Sequence, residues 1–98
     1  MDLPLKSNQM TQAEMIRAKC DEICDLLLRK NIAYGNAALD PVRVFSDLSA
    51  EEGLKVRIDD KLSRIRNSGL NDLTEDTLLD ITGYLILLSI AYDEVHNR

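Results

Sequence analysis

The sequence predicts an all-α fold: a three-helix, antiparallel, bundle-like domain completed by oligomerisation. Three observations predict it. Apolar residues recur at helical three- and four-residue spacing in three segments. The two Pro and four Gly fall mainly outside those segments, and aromatics are scarce (three Tyr, one Phe, no Trp) while Leu, Ile and Ala are plentiful. A chain of 98 residues fits one small domain and buries only a modest core. Association is therefore the expected source of further stability.

Residues 1–10 carry no periodicity and read as a flexible N-terminal arm; residues 11–98 form the helical domain. Thr11-x-x-Glu14 is a capping-box signature that opens a helix over about 11–30. Its apolar face is Ile16, Cys20, Ile23 and Leu27, widened by Leu26 and Leu28. From Asn31 to Leu48 the pattern breaks at Gly35, Asn36, Asp40 and Pro41, all turn residues. Tyr34, Val42, Val44 and Phe45 are too apolar for a free linker, and a loop of this length is usually functional or packed. Ser49-x-x-Glu52 is a second capping box, starting a helix over about 50–67 that Ser68-Gly69 stops. Leu54, Ile58, Leu62 and Ile65 are its buried stripe. The third helix starts near Asp72 or Thr74 and runs over about 74–95, antiparallel to the second across a short connection. It is apolar nearly all the way round from Leu78 to Ala91, as in a helix central to a bundle or shared between subunits.

Charge and motifs exclude several classes. Twelve basic against seventeen acidic residues give a net charge of −5 and a pI near 4.7. That argues against binding extended nucleic acid, which needs a basic surface, but leaves room for one nucleotide on a local cationic cluster. Cys20 and Cys24 have no second cysteine pair and read as small buried residues of a reducing compartment. His96 is the only histidine, in a tail expected to fray, so a zinc site has no ligand set. No signal peptide opens the sequence. The apolar run from Tyr84 to Tyr92 is short of the roughly 20 residues a membrane span needs. A cytoplasmic protein is expected. No phosphate-binding glycine loop, nucleophile elbow or Cys–His pair is present.

The polar groups pose the functional question. Asp76 and Asp80 lie one turn apart on one face of the most apolar helix. Carboxylates entering a core need a cation, either Arg57, Lys61 or Arg64 of the neighbouring helix or Mg²⁺, which favours one or two carboxylates plus substrate phosphates. Arg57, Asp60, Lys61 and Arg64 form either a phosphate clamp or a solvated face of mixed sign. Lys30, Asn31, Tyr34 and Gly35 are either helix-stop chemistry or groups that hydrogen-bond and stack on a sugar and base. Glu22 and Asp25 flank the first helix; a solvated carboxylate is the ordinary reading, and Glu22 at a metal the other.

Taken together, Lys30-Asn31-x-x-Tyr34-Gly35, Arg57-x-x-Asp60-Lys61-x-x-Arg64 and Asp76-Thr77-Leu78-x-Asp80-x-x-x-Tyr84 resemble the nucleotide modification associated domain family, first type, common in phages and bacteria. The likeness runs from about Lys19 to Tyr92. More distantly, the chain is similar to the all-α nucleoside triphosphate pyrophosphohydrolases of the MazG type, which hold Mg²⁺ on E-x-x-E and E-x-x-D pairs. It departs from them in offering Asp59 and Asp60 beside Lys61 and a D-x-x-x-D pair.

The resemblance implies a nucleotide-binding protein of phage or bacterial nucleotide metabolism or defence, in the host cytoplasm if phage-encoded. Lys30, Asn31, Tyr34, Arg57, Lys61 and Arg64 would bind the nucleotide; Asp60, Asp76 and Asp80 would orient them or carry Mg²⁺. A second expectation is Mg²⁺-dependent pyrophosphohydrolysis of a nucleoside triphosphate. The third is a helical adaptor or inhibitor, an anti-defence factor whose partner is a host protein.

Overall fold

Local side-chain chemistry starts and stops each helix. The computed structural model describes residues 9–43, 46–70 and 76–96. Helix α1 spans Gln12–Tyr34, α2 spans Ala50–Ser68 and α3 spans Thr77–His96. The fold is all-α, and no strand occurs among the described residues.

Thr11 caps α1 with both halves of the predicted box: Glu14 N–H donates to Thr11 Oγ1 (3.1 Å), and Thr11 N–H donates to Glu14 Oε1 (2.7 Å). These bonds, the backbone one foremost, hold the Glu14 carboxyl below its usual range. At Ser49 only half of the box forms. Glu52 N–H donates to Ser49 Oγ at 3.2 Å, while the Glu52 carboxylate turns to Lys55.

Helix α1 runs one turn beyond the predicted Lys30. Its stop is Gly35 in the left-handed conformation (φ 59°), whose N–H donates to Asn31 C=O. Asn36 follows with φ 66° and its own 3.3 Å bond to the same carbonyl. Two consecutive left-handed residues reverse the chain. Helix α2 ends at Gly69, whose N–H reaches Ile65 C=O at 2.7 Å. The arm up to Asn8, Val44, Phe45 and the predicted starts of α3 at Asp72 or Thr74 lie outside the described residues.

The main packing is α2 on α3, with α1 adding a smaller contact to α3. Glu51 meets His96 across the first turn of α2 and the last of α3, while Lys61 meets Asp80 toward the opposite ends. The two helices are therefore antiparallel, as predicted. His96 is not frayed: it closes α3, its Nε2 lies 3.2 Å from Glu51 Oε1, and its ring stacks on Tyr92 with centroids 4.2 Å apart. Lys55 first, then His96, hold the Glu51 carboxyl below its usual range. That contribution is present at neutral pH and is lost as pH falls through the depressed value.

The core is small. Leu54 is 1% exposed, and with Ile23, Ile81 and Ala91 it makes up the buried apolar set among the described residues. Several predicted core positions are open: Ile16 and Leu62 are exposed, as are Cys20 and Cys24, which are therefore not the buried residues expected. On its apolar face, α1 is covered only from Ile23 onward, where Leu26 and Leu27 approach α3.

Gly83 sets that approach. A Cβ at this position would stand 3.0 Å from Leu27 Cδ2. A small residue here lets α1 close on α3, so the glycine is explained by packing, offsetting its helix cost of about 1 kcal/mol. Gly83→Leu should drive Leu27 outward and detach α1, giving faster amide exchange in α1 while α2 and α3 stay protected. Unchanged protection in α1 would show that Leu27 yields without moving the helix.

Candidate functional site

Asp80 is the polar centre of the molecule. It points from α3 into the space between all three helices, with a side chain only 16% exposed. Lys61 Nζ of α2 lies 3.4 Å from Oδ2, and Lys30 Nζ of α1 lies 3.5 Å from Oδ1. The lysine side chains are 17% and 45% exposed respectively, so Lys61 is enclosed and Lys30 is half in solvent. The carboxylate thus links three helices that few apolar contacts hold together.

Asp76 does different work. Its Oδ1 accepts the Leu79 N–H at 3.0 Å and its carbonyl accepts the Asp80 N–H at 3.0 Å, so it caps α3. Beside it the Thr77 hydroxyl is buried with no hydrogen-bond partner. Asp60 is exposed on α2 and has no ion pair within the described residues. Glu22 is paired with Lys19 at 2.8 Å on the surface of α1.

These placements decide the fit of a metal. Asp60, Asp76 and Asp80 do not gather, and no cluster of three or more His, Cys, Asp or Glu side chains occurs among the described residues. One carboxylate is committed to a helix cap and another to two lysines. Among the described residues these three carboxylates therefore form no preassembled metal cluster.

A cavity of about 420 Å³ opens beside Asp80. Lys30, Asn31, Tyr34, Arg57, Asp80 and Tyr84 supply its polar groups, and Leu26, Leu27, Leu79 and Leu87 are among its apolar walls. Four of the six predicted nucleotide-binding residues therefore share one cavity. The left-handed pair Gly35-Asn36 turns the chain so that Ala37 and Ala38 close its edge. Lys61 contacts Asp80, but neither it nor Arg64 lines the cavity.

Arg57 differs in its pairing from Lys30, the other cation that lines the cavity. Among the described residues no carboxylate lies within ion-pair distance of it, and it also lines a neighbouring cavity of about 410 Å³ between the 37–43 connection and the start of α2. An arginine fork without a carboxylate partner, set at an apolar cavity with two tyrosines, is suited to an anion carrying a flat ring. Tyr84 is the addition to the predicted binding residues: it belonged to the third motif, yet only the turn of α3 toward α1 brings it to the cavity.

Comparison with known protein families, curated proteins and solved structures gives no match for this chain. The site must be read from its own chemistry. No helix among the described residues is long and apolar enough to cross a membrane.

Proposed function

We propose that the cavity binds a phosphorylated nucleotide. The observation that carries this reading is Arg57, a cation with no acidic partner among the described residues, at the mouth of a cavity that also presents Lys30, Asn31, Tyr34 and Tyr84. Arg57 and Lys30 would take the phosphate, Asn31 would hydrogen-bond the sugar or base, and the tyrosines would cover the ring. About 420 Å³ lies in the range of small-ligand pockets. Asp80 would keep Lys30 and Lys61 in place and repel a phosphate set too deep.

Binding is preferred to hydrolysis because Asp76 and Asp80 are engaged in a cap and in lysine pairs. The protein incubated with a pool of nucleoside mono-, di- and triphosphates and Mg²⁺ should return one species depleted from solution and intact after denaturation. Release of pyrophosphate and a monophosphate would reject binding in favour of pyrophosphohydrolysis. An unchanged pool with no retained species would leave the adaptor reading, in which a host protein is the partner. Arg57→Ala should weaken retention about tenfold to a hundredfold, the worth of a charged hydrogen bond, with an unchanged unfolding midpoint. Equal retention by the variant would remove Arg57 from the site.

A further inference from the structure

We infer that the second cavity, between the 37–43 connection and the start of α2, is an anion subsite that takes a further phosphoryl group of the nucleotide. It measures about 410 Å³ and shares Ala37, Ala38 and Arg57 with the first cavity. One wall is therefore common to both, and Arg57 stands where they meet. A ligand whose first phosphate lies against Arg57 has the second cavity directly beside that phosphate. The inference rests on the nucleotide reading for the ring and the first phosphate, whereas the anion chemistry of the second cavity rests on its own residues.

Those residues are donors. Arg43 brings a second guanidinium to the cavity. Among the described residues neither Arg43 nor Arg57 has a carboxylate within ion-pair distance, although acidic residues outnumber basic ones seventeen to twelve in the chain. Asp40 and Asp47 flank Arg43 in sequence, yet neither lines the cavity, and among the described residues no other acidic side chain does. Two cations on one space without a counter-charge repel each other, and an anion between them turns that repulsion into two attractions. Ser46 and Ser49 complete the set. Ser46 Oγ accepts the Leu48 N–H at 3.2 Å, and Ser49 Oγ accepts the Glu52 N–H at 3.2 Å. The backbone thus places each hydroxyl oxygen while the hydroxyl proton stays available to donate. Two forked cations and two placed O–H donors match a phosphoryl group, whose oxygens all accept and which pairs bidentately with Arg. The ligand class that follows is a nucleotide with at least two phosphoryl groups, joined in a chain or carried on separate sugar hydroxyls.

Calorimetric titration with nucleoside monophosphates, the matching 5′-diphosphates and the 3′,5′-bisphosphates tests this. At least one doubly phosphorylated ligand should bind about tenfold to a hundredfold more tightly than its monophosphate. A tighter diphosphate identifies a phosphate chain, and a tighter bisphosphate identifies groups on separate hydroxyls. Arg43→Ala should abolish the gain and leave the monophosphate affinity and the helical circular dichroism unchanged. Should the alanine variant lose helicity, Arg43→Asn, which tolerates the left-handed backbone at this position (φ 61°), serves the same comparison. Equal affinity for all three ligands would overturn the inference while keeping the nucleotide reading, as would a gain that survives loss of Arg43. Inorganic pyrophosphate, titrated alone, separates the two claims from the other side. Pyrophosphate binding that depends on Arg43, with no nucleotide bound, would reject the nucleotide reading and keep the anion subsite; binding of neither would overturn both.

Discussion

Leu54→Ala should destabilise the chain by about 3 kcal/mol, the typical cost of removing a leucine from a filled site. Among the described residues Leu54 is the one large side chain with almost no exposure, and it opens the stripe of α2, the helix that packs on α3. The cavity left behind has few neighbours able to fill it, because Ile81 and Ala91 are the buried apolar residues of α3. With a urea slope near 1.5 kcal/mol per M, the midpoint should fall by about 2 M. A small domain holds roughly 5–15 kcal/mol in total, so this one methyl-rich side chain is a large share. A drop below about 0.5 M would mean that the α2–α3 contact relaxes and that the core is not organised around Leu54.

Asp80→Asn should be the second large effect, and it should separate stability from binding. The amide keeps the shape of the side chain but removes the charge that Lys30 and Lys61 share. Lys61, largely enclosed, loses its contact with the Asp80 carboxylate; Lys30, half in solvent, loses little. The loss should be about 2 kcal/mol, below that of a fully buried pair because both contacts are near 3.5 Å and one partner is solvated. Lys30→Met should cost much less than Lys61→Met, and a reversed order would contradict the assignment of burial. The same Asp80→Asn change adds net positive charge beside the cavity. Nucleotide binding should then be equal or tighter. If Asp80 instead served turnover through Mg²⁺, the variant would lose activity and gain nothing in affinity.

What was legible in the sequence is what is decided within one or two turns of chain. Thr11, Ser49 and Gly69 were readable because a hydroxyl before a helix and a glycine after it act on backbone groups three or four residues away. Asp76 is equally readable as a cap, since an Asp ahead of Thr77-Leu78-Leu79 is an ordinary start signal, while its four-residue spacing to Asp80 also matches a carboxylate pair for a cation. The expected α1 stop at Lys30 falls four residues short because Asn31 is tolerated inside a helix, whereas Gly35 supplies the left-handed turn. The Lys61 contact to Asp80 was among the alternatives the spacing allowed. Lys30 was not, because it depends on how α1 is rotated against α3, and Gly83 with Leu27 fixes that contact. The exposure of Ile16, Cys20 and Leu62 was hidden for a related reason: periodicity identifies an apolar face without saying whether the chain itself covers it.

The cavity between α1 and α3 is the point on which the functional reading rests, and isothermal titration at two salt concentrations tests it most directly. The predicted result is saturable binding of a nucleotide by the natural protein, weakened at high salt and reduced about tenfold or more in Arg57→Ala. Binding that ignores both salt and Arg57, or no binding across the common nucleoside phosphates, would contradict the account.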